Sequence, residues 1–400
     1  MAESAFAEFQ TDHLMLLMGT NPLPNYVAAR LLARSDTRLH LVVTKEIMQA
    51  ETHRTLIKLL GRDPADEQQY LEVSSSDPAS IFERVRERVG NWPGTWNLHY
   101  TGGKKSMVAH AYRAVEAALA KRYEQAIYSY LDADSLEMVI ETPRYSAAQR
   151  LTAHRRVDVS IAQLLEMYGR PLSDKSKERP ITRVDPERQV IGKTLVDFCQ
   201  APRQRELWSG WAETLRRNGQ ALKDSEARHI KVPPDLQKVL GGATIADLEI
   251  LWQRKASEIT DWLHGDWLED YVLGVIDAHR TEWHITDLGR SIKPKGIAEF
   301  EVDVVAMQGY RLFAFSVTTD TDLGRYRLNK SKLFEAVVRA DQMGGGESRV
   351  ALVTFKDKVA SLQNQVAEVW GDHHQTRIRV FGLSQLPVLD QHLKAWFQED

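Results

Sequence analysis

A single cysteine, Cys199, stands in a chain of 400 residues. No disulfide can form within the chain, and no thiolate zinc cluster can be assembled. That usage suits a reducing compartment. No apolar run approaches the roughly 18–20 residues that a membrane helix needs. The first residues, Met1 to Asp12, are acidic and lack the charged-then-apolar order of a signal peptide. The expectation is a cytoplasmic protein without membrane contact. Positive charge is not in excess either: 52 Lys and Arg face 55 Asp and Glu, a net charge of −3. Any contact with nucleic acid must therefore come from local patches. Internal repeats and low-complexity tracts are missing. What is present is apolar material, 43% of residues, enough for sizeable cores, in a length that suits two or three domains.

The first 142 residues alternate short apolar runs with amphipathic stretches. His13–Gly19, Leu39–Thr44, Tyr70–Ser74 and Trp96–Thr101 read as strands. Tyr26–Leu32, Ile47–Leu60, Ile81–Val89 and Met107–Ala120 read as helices between them. Ala126–Leu131 and Leu136–Glu141 read as a hairpin around Asp132-Ala133-Asp134. This order predicts a doubly wound, mostly parallel sheet with helices on both faces. Its ligands belong at the carboxyl ends of the strands, where the strand order reverses. Arg150–Arg156 is basic and reads as a domain edge, and Ile161–Tyr168 as a short helix ending at Gly169. A charged stretch over 170–192 reads as a linker, and 193–230 as amphipathic helix. From about residue 244 a second pattern begins: helix, hairpin, helix, strand. The expected division is 1–150, 151–240 and 241–400.

Two loops of the first domain carry chemistry. Gly19-Thr20-Asn21-Pro22 follows the first strand, and Thr101-Gly102-Gly103-Lys104-Lys105-Ser106 follows the fourth and opens a helix. Glycines admit close approach of a ligand to the backbone, and free N–H groups at a helix start favour an anion. Neither loop has the Gly-x4-Gly-Lys-Ser/Thr or Gly-x-Gly-x-x-Gly spacing of the common nucleotide loops. A bare Gly-Gly also serves an ordinary tight turn, but two donor-rich loops on one sheet would face the same crevice.

In the second domain Glu269 lies beside the apolar stripe of Leu268, Tyr271, Val272 and Val275 on a helix. A two-residue turn at Gln308-Gly309 would pair Met307 with Tyr310, Asp303 with Ala314 and Glu301 with Ser316. Glu301, Asp303, Ser316 and Thr318 then share one strand face, opposite a core face of Val302, Val304, Phe313, Phe315 and Val317. Acids on such a face also suit plain exposure to solvent.

These residues carry a resemblance. The loops at Gly19–Asn25 and Thr101–Ser106 resemble the signature loops of CARF domains, the CRISPR-associated Rossmann-fold sensors of cyclic oligoadenylate. Gly265–Val272, Glu301-Val302-Asp303-Val304 and the Lys-Leu helix ending in Gly344-Gly345-Gly346 resemble the PD-(D/E)xK restriction-endonuclease half of two-domain CARF nucleases. The resemblance covers most of the chain outside roughly 170–240. It implies an N-terminal Rossmann-like CARF domain, a C-terminal restriction-endonuclease-like α/β domain, and a homodimer holding one ring nucleotide, most often cyclic tetra-adenylate. By position, Thr20 and Asn21 would touch base or ribose, with Gly19 and Pro22 in the same loop. Thr101, Gly102, Gly103, Lys104 and Ser106 would cradle phosphate beside Lys105, and Thr44 and Lys45 would add to the site. Glu269, Asp303 and Glu301 would hold Mg²⁺ or Mn²⁺ for cleavage of DNA or RNA in type III CRISPR antiviral defence. One departure stands out: Ser316-Val317-Thr318 replaces the family's Glu-x-Lys. Either Glu301 supplies the lost carboxylate and Lys330 or Lys332 the lost cation, or the domain binds nucleic acid or a protein without cutting. A plain dinucleotide enzyme is the third reading, opposed by the missing Gly-x-Gly-x-x-Gly.

Overall fold

The structure, a computed structural model, describes residues 5–173, 180–217, 220–295, 301–319, 326–357, 359–370 and 376–399. Strand and helix alternate as β1 (His13–Leu17), α1 (Leu23–Leu32), β2 (Arg38–Val43), α2 (Lys45–Gln49), α3 (Thr52–Leu59), β3 (Tyr70–Glu72), α4 (Pro78–Asn91), β4 (Trp96–His99), α5 (Lys105–Ala120), β5 (Ile127–Leu131) and β6 (Glu137–Glu141), with β7 (Gln149–Thr152) closing one edge. The sheet order is β3-β2-β1-β4-β5-β6-β7. It is parallel from β3 to β5 and antiparallel from β5 to β7. β1 buries both faces: Leu14 and Leu16 join the core under α1 and α3, and Met15 and Leu17 the core under α4 and α5. That double burial is why the strand reads as an unbroken apolar run.

Two local features differ from the sequence expectation. The amphipathic stretch over 47–60 is two helices, because Glu51 adopts the left-handed conformation at φ 57° and breaks it. The basic stretch from Arg150 contains β7, an edge strand whose side chains are exposed or half-buried. An edge strand with no buried face leaves no apolar alternation to read.

The connector α6 (Ile161–Met167) is closed by a capping box between Ser160 and Gln163. It is tied to both halves of the chain. Lys58 of α3 pairs with Glu166 at 3.0 Å, and the Ile161 N–H donates to Asp287 at 2.8 Å. A helical region follows: α7 (Pro186–Phe198), α8 (Pro202–Ala212), the small strands β8 (Arg216–Arg217) and β9 (Gln220–Ala221), α9 (Asp224–Ala227), α10 (Pro234–Leu240), α11 (Ile245–Trp252) and α12 (Ala256–Asp261). The stretch over 170–192, expected to be a linker, is thus partly helix. Its Ile181 also exchanges backbone hydrogen bonds with Arg290. Trp208, Trp211, Trp262 and Trp267 are buried where these helices meet the last domain.

One π-helical turn, Trp262–Asp266, leads into α13 (Trp267–Ala278). Then come β10 (Ile285–Ile292), β11 (Val302–Gln308), β12 (Arg311–Thr318), α14 (Tyr326–Gly344), β13 (Arg349–Thr354), α15 (Ala360–Trp370), β14 (Ile378–Phe381) and α16 (Leu389–Gln398). The second sheet runs β10-β11-β12-β13-β14, antiparallel through β12 and parallel beyond.

The hairpin register is shifted from the expected one. The loop residues are Gly309 and Tyr310, and Gln308 pairs with Arg311. Gly309 takes φ +59°, which suits the first loop position of a tight hairpin, and Tyr310 is fully buried. A shift of two residues preserves side-chain parity, so the shared strand face stands. Asp303 now faces Ser316, its hydrogen-bond partner at 3.4 Å, and Glu301 no longer lies opposite Ser316. Both faces of this sheet are core. Val304, Phe313, Phe315 and Val317 pack on the α13 and α16 side, while Val305, Met307, Leu312 and Ala314 pack with α14. That second core runs on into the first domain through Val157, Val159, Leu164 and Tyr310. The hairpin tip seals the junction, with the Val159 N–H donating to the Gly309 carbonyl at 3.0 Å.

Candidate functional site

The first site forms where the order of the large sheet reverses, between β1 and β4. Here the loops after both strands pack backbone to backbone. A Cβ on Gly19 would stand 2.9 Å from the Gly103 nitrogen. One on Gly102 would intrude on the Leu17 carbonyl oxygen, far inside the 3.0 Å that real Cβ atoms keep. The same oxygen accepts Asn25 Nδ2 at 3.0 Å. Only glycine lets the two loops come this close.

Around that contact, Thr20, Lys45, Lys104 and Lys105 are exposed and Ser106 is half-buried. Lys104 donates to Ser75 Oγ at 2.9 Å, and Ser106 to the Ser75 carbonyl at 2.7 Å. Sequence reading missed Ser75, which lies in the loop after β3 and became a neighbour only through the sheet order. The Thr44 hydroxyl bonds Glu46, and with Lys104 and Lys45 nearby this holds the Glu46 carboxyl below its ordinary range. Residue Lys104 caps α5 without a side-chain hydrogen bond, so its side chain does not occupy the N–H groups of the first turn. An uncapped helix start flanked by lysines is chemically an anion site.

Two expected contact residues have other partners. The Thr101 hydroxyl accepts the Leu131 N–H at 2.6 Å and staples β4 to β5. The Asn21 amide is held by Tyr168 and Glu347.

The second site lies where α13 crosses the ends of β10 and β11. Arg290, 3% exposed on β10, reaches three acids of the π turn and α13. It pairs with Asp270 at 2.6 Å, Glu269 at 3.3 Å and Asp266 at 3.6 Å. Asp270 is fixed from behind by the Trp262 indole N–H at 2.7 Å. Asp303 accepts the Val317 N–H at 2.6 Å and the Ser316 hydroxyl. Lys332, on α14, is near enough to lower the Asp303 carboxyl, and Glu301 pairs with Lys293 at 3.1 Å. Burial, then the charges of Asp303 and Asp266, push the Glu269 carboxyl well above the usual carboxylate range. Burial likewise raises Asp303, against the pull of the Val317 N–H. Five carboxylates therefore gather against Arg188, Arg290, Lys293 and Lys332. The excess of negative charge around the half-buried Glu269 and Asp303 is relieved by proton or cation uptake.

Sequence reading named Glu269, Asp303, Glu301 and Lys332, and these stand around one region. It gave no role to Arg290, nor to Asp266 and Asp270, although both acids lie in the Gly265–Val272 stretch that carried the resemblance. Thr318 is buried at the end of β12, and the Lys330 side chain lies outside the described residues. Among the described residues no three acid or histidine groups already stand as a metal cluster. The donor set is all oxygen and under-neutralised, which fits a hard divalent cation.

No family model matches this sequence, and no curated protein matches it. Solved structures do match in fold. A protein from Vibrio cholerae, VC1899, superposes with a TM-score of 0.64 at 16% identity, over 96% of this chain and 98% of that one. Can2 from Sulfobacillus thermosulfidooxidans, solved in complex with cyclic tetra-adenylate, superposes with a TM-score of 0.65 at 16% identity, over 97% of each chain. A looser likeness, TM-score 0.49 at 18% identity over 86% of this chain and 45% of the other, is to a type III CRISPR defence DNA nuclease activated by cyclic oligoadenylate. The architecture is the CARF-nuclease fold, a Rossmann-like domain followed by a restriction-endonuclease-like domain.

Proposed function

We propose that this chain is a metal-dependent nuclease of type III CRISPR antiviral defence, switched on by cyclic oligoadenylate bound across a homodimer of its first domain. One observation carries the catalytic half. Glu269 and Asp303, from a helix and a strand, stand half-buried with both carboxyls raised, Glu269 by burial and the Asp303 charge and Asp303 by burial, and with the Lys332 cation beside Asp303. Acid, acid and lysine are the chemical parts of a phosphodiester-cutting site. Here the lysine comes from α14 and not from β12, where Ser316-Val317-Thr318 stands.

Glu269, Asp303 and Glu301 would hold Mg²⁺ or Mn²⁺, which supplies a water of lowered pKa and offsets charge developing on the phosphate. The protein does the rest. Ser316 and the Val317 N–H fix the rotamer of Asp303, and Asp270 fixes Arg290 against Glu269 and Asp266. Lys332 stabilises the leaving phosphate. In the first domain, Lys104, Lys105 and Ser106 at the α5 N-terminus receive phosphate, with Thr20 at the base or ribose. Ligand shifts the paired domains only as far as it binds their two arrangements unequally.

A second reading rests on Arg290, which already stands among the acids as a cation, and on the lost Glu-x-Lys. Under it the last domain binds nucleic acid or a protein without cutting. Cleavage of supercoiled plasmid and single-stranded RNA with Mn²⁺, with and without cyclic tetra-adenylate, separates the two. Ligand-dependent cutting that disappears in Asp303→Ala, with ligand affinity unchanged, supports the nuclease. Undiminished cleavage by that variant would falsify the site. Tight ligand binding without any cutting selects the binding module.

A further inference from the structure

Three cations stand at the acid site, and they differ in how far their charge is already spent. The Arg290 side chain is 4% exposed and is taken up by Asp270, Glu269 and Asp266. Withdrawing it would leave the buried Asp270 without its closest cation, a costly state. Lys332 reaches the site from α14, where its charge works against the effect of burial on Asp303. Lys293 is placed differently. Ile292 of β10 pairs with Val302 of β11. The next residues outward, Lys293 and Glu301, meet through their side chains at 3.1 Å, 38% and 40% exposed.

Glu301 ties that lysine to the acids. After burial, the Glu301 charge helps to raise the carboxyls of Asp266, Glu269 and Asp303 alike. Arg339 of α14 donates to the Glu301 carbonyl and holds its backbone. The backbone around the lysine is pinned as well. The Lys293 carbonyl accepts the Ser173 N–H at 3.2 Å, and the Lys295 N–H donates to the Pro171 carbonyl at 2.7 Å. An ammonium has three donors, and Glu301 needs only one of them. A pair this exposed shifts an equilibrium by no more than about fivefold. It can hold the ammonium beside the acids, and it is too weak to keep it from a phosphate. Lys295, exposed two residues further on, adds positive charge to the same strand end.

Strand β11 has two neighbours, β10 and β12. The lysine of a Glu-x-Lys would stand on β12 at the position of Thr318, which is buried. Lys293 offers the same group from the other neighbour, at the surface.

We infer that Lys293 is the lysine that receives a backbone phosphate of the substrate, its ammonium held beside the acids by Glu301. The inference rests on the last domain being the nucleic-acid domain of the proposed function. It makes Lys293 a substrate-binding residue.

Lys293→Met in the full chain removes the charge and keeps the apolar stem. Binding of a short DNA duplex and of a single-stranded RNA is followed by fluorescence anisotropy over a range of salt, with cyclic tetra-adenylate present and Ca²⁺ in place of Mn²⁺ to slow cutting. For at least one of the two, the variant should bind about tenfold more weakly, the weight of a hydrogen bond from a charged donor. The slope of log K against log salt should shrink by about 0.7–0.9, the mark of one lost phosphate contact. Lys293→Arg should restore the slope. Mn²⁺ affinity, read by calorimetry, should stay the same or rise by up to about fivefold, because a competing cation has left Glu301. An unchanged salt slope overturns the inference whatever the affinity, since a merely structural lysine takes no phosphate contact with it. A fall in Mn²⁺ affinity overturns it too, because the change has then damaged the acids. Cutting by the wild type with Mn²⁺ tests the nuclease reading separately. A reduced slope in a protein that never cuts upholds Lys293 and refutes the nuclease. Wild type that binds neither nucleic acid overturns both.

Discussion

Gly102→Ala is the sharpest perturbation available in the first domain. The added methyl would intrude on the Leu17 carbonyl oxygen and stand 3.0 Å from Asn25 Nδ2. These two atoms are themselves hydrogen-bonded at 3.0 Å. Neither can give way alone, because Leu17 ends a buried central strand and Asn25 is fully buried in α1. Overpacking of this kind costs about 1–3 kcal/mol, and loss of the Asn25 hydrogen bond about 1 kcal/mol more. The sum, about 2–4 kcal/mol, corresponds to a fall of roughly 4–16 °C in Tm for a domain of this size. Gly61→Ala is the control. Gly61 also has a positive φ, +70°, but nothing lies within 4 Å of its Cβ, so only backbone strain of about 1–2 kcal/mol is expected. Differential scanning calorimetry measures both, and titration with cyclic tetra-adenylate measures the crevice. Gly102→Ala should lose ligand affinity at least tenfold and Gly61→Ala should keep it. If Gly102→Ala is no less stable than Gly61→Ala and binds normally, the loops are not packed as described and the crevice between β1 and β4 is not the ligand site.

Lys104→Ala removes a cation from the start of α5, and since hydrogen bonds to charged groups contribute about 1.5–3 kcal/mol, cyclic tetra-adenylate should bind at least about tenfold more weakly, as read by calorimetry. Glu269→Gln removes a carboxyl that burial, Asp303 and Asp266 push upward, while its amide oxygen can still accept from Arg290. The variant should gain about 1–2 kcal/mol, or roughly 2–8 °C in Tm, and lose Mn²⁺ binding; a lower Tm refutes the picture of uncompensated charge. Acid should weaken the first domain through two buried imidazoles. Burial, then Arg88, depresses His40 to about 2, and burial depresses His99 to about 3. Both stay neutral in the folded state below pH 6.5, where the unfolded chain takes up protons. Their stability is complete above that pH and falls by about 1.4 kcal/mol per residue per pH unit below it. Thermal melts between pH 7.5 and 5 should show the loss, and a flat Tm across that window contradicts it.

Period and turn chemistry alone determined which segments of the large sheet are strands and which are the helices between them. Buried parallel strands are apolar on both faces, and the intervening helices carry their own stripe, so β1 to β6 could be placed by reading along the chain. The same holds for the two glycine loops, since glycine followed by lysine at a helix start has a physical meaning wherever the strands lie. Side-chain parity also survived. Glu301, Asp303 and Ser316 share a face in either hairpin register, because a slip of two residues leaves the alternation intact. The register itself was not legible. It depends on which glycine position takes a positive φ, and on Tyr310 being buried against the first domain, a contact between residues far apart in sequence. β7 escaped notice because an exposed edge strand has no buried face to mark it.

Only tertiary structure could bring Arg290 to Glu269, Ser75 to Lys104, or Asn21 to Glu347. None of these pairs has a local spacing that requires it. Each follows from strand order and from the packing of one domain on the other. The residue types that make an anion crevice and an acid site are written along the chain. Which charge answers which, and how the two sites are joined, was decided when the second sheet came to share its core with the first.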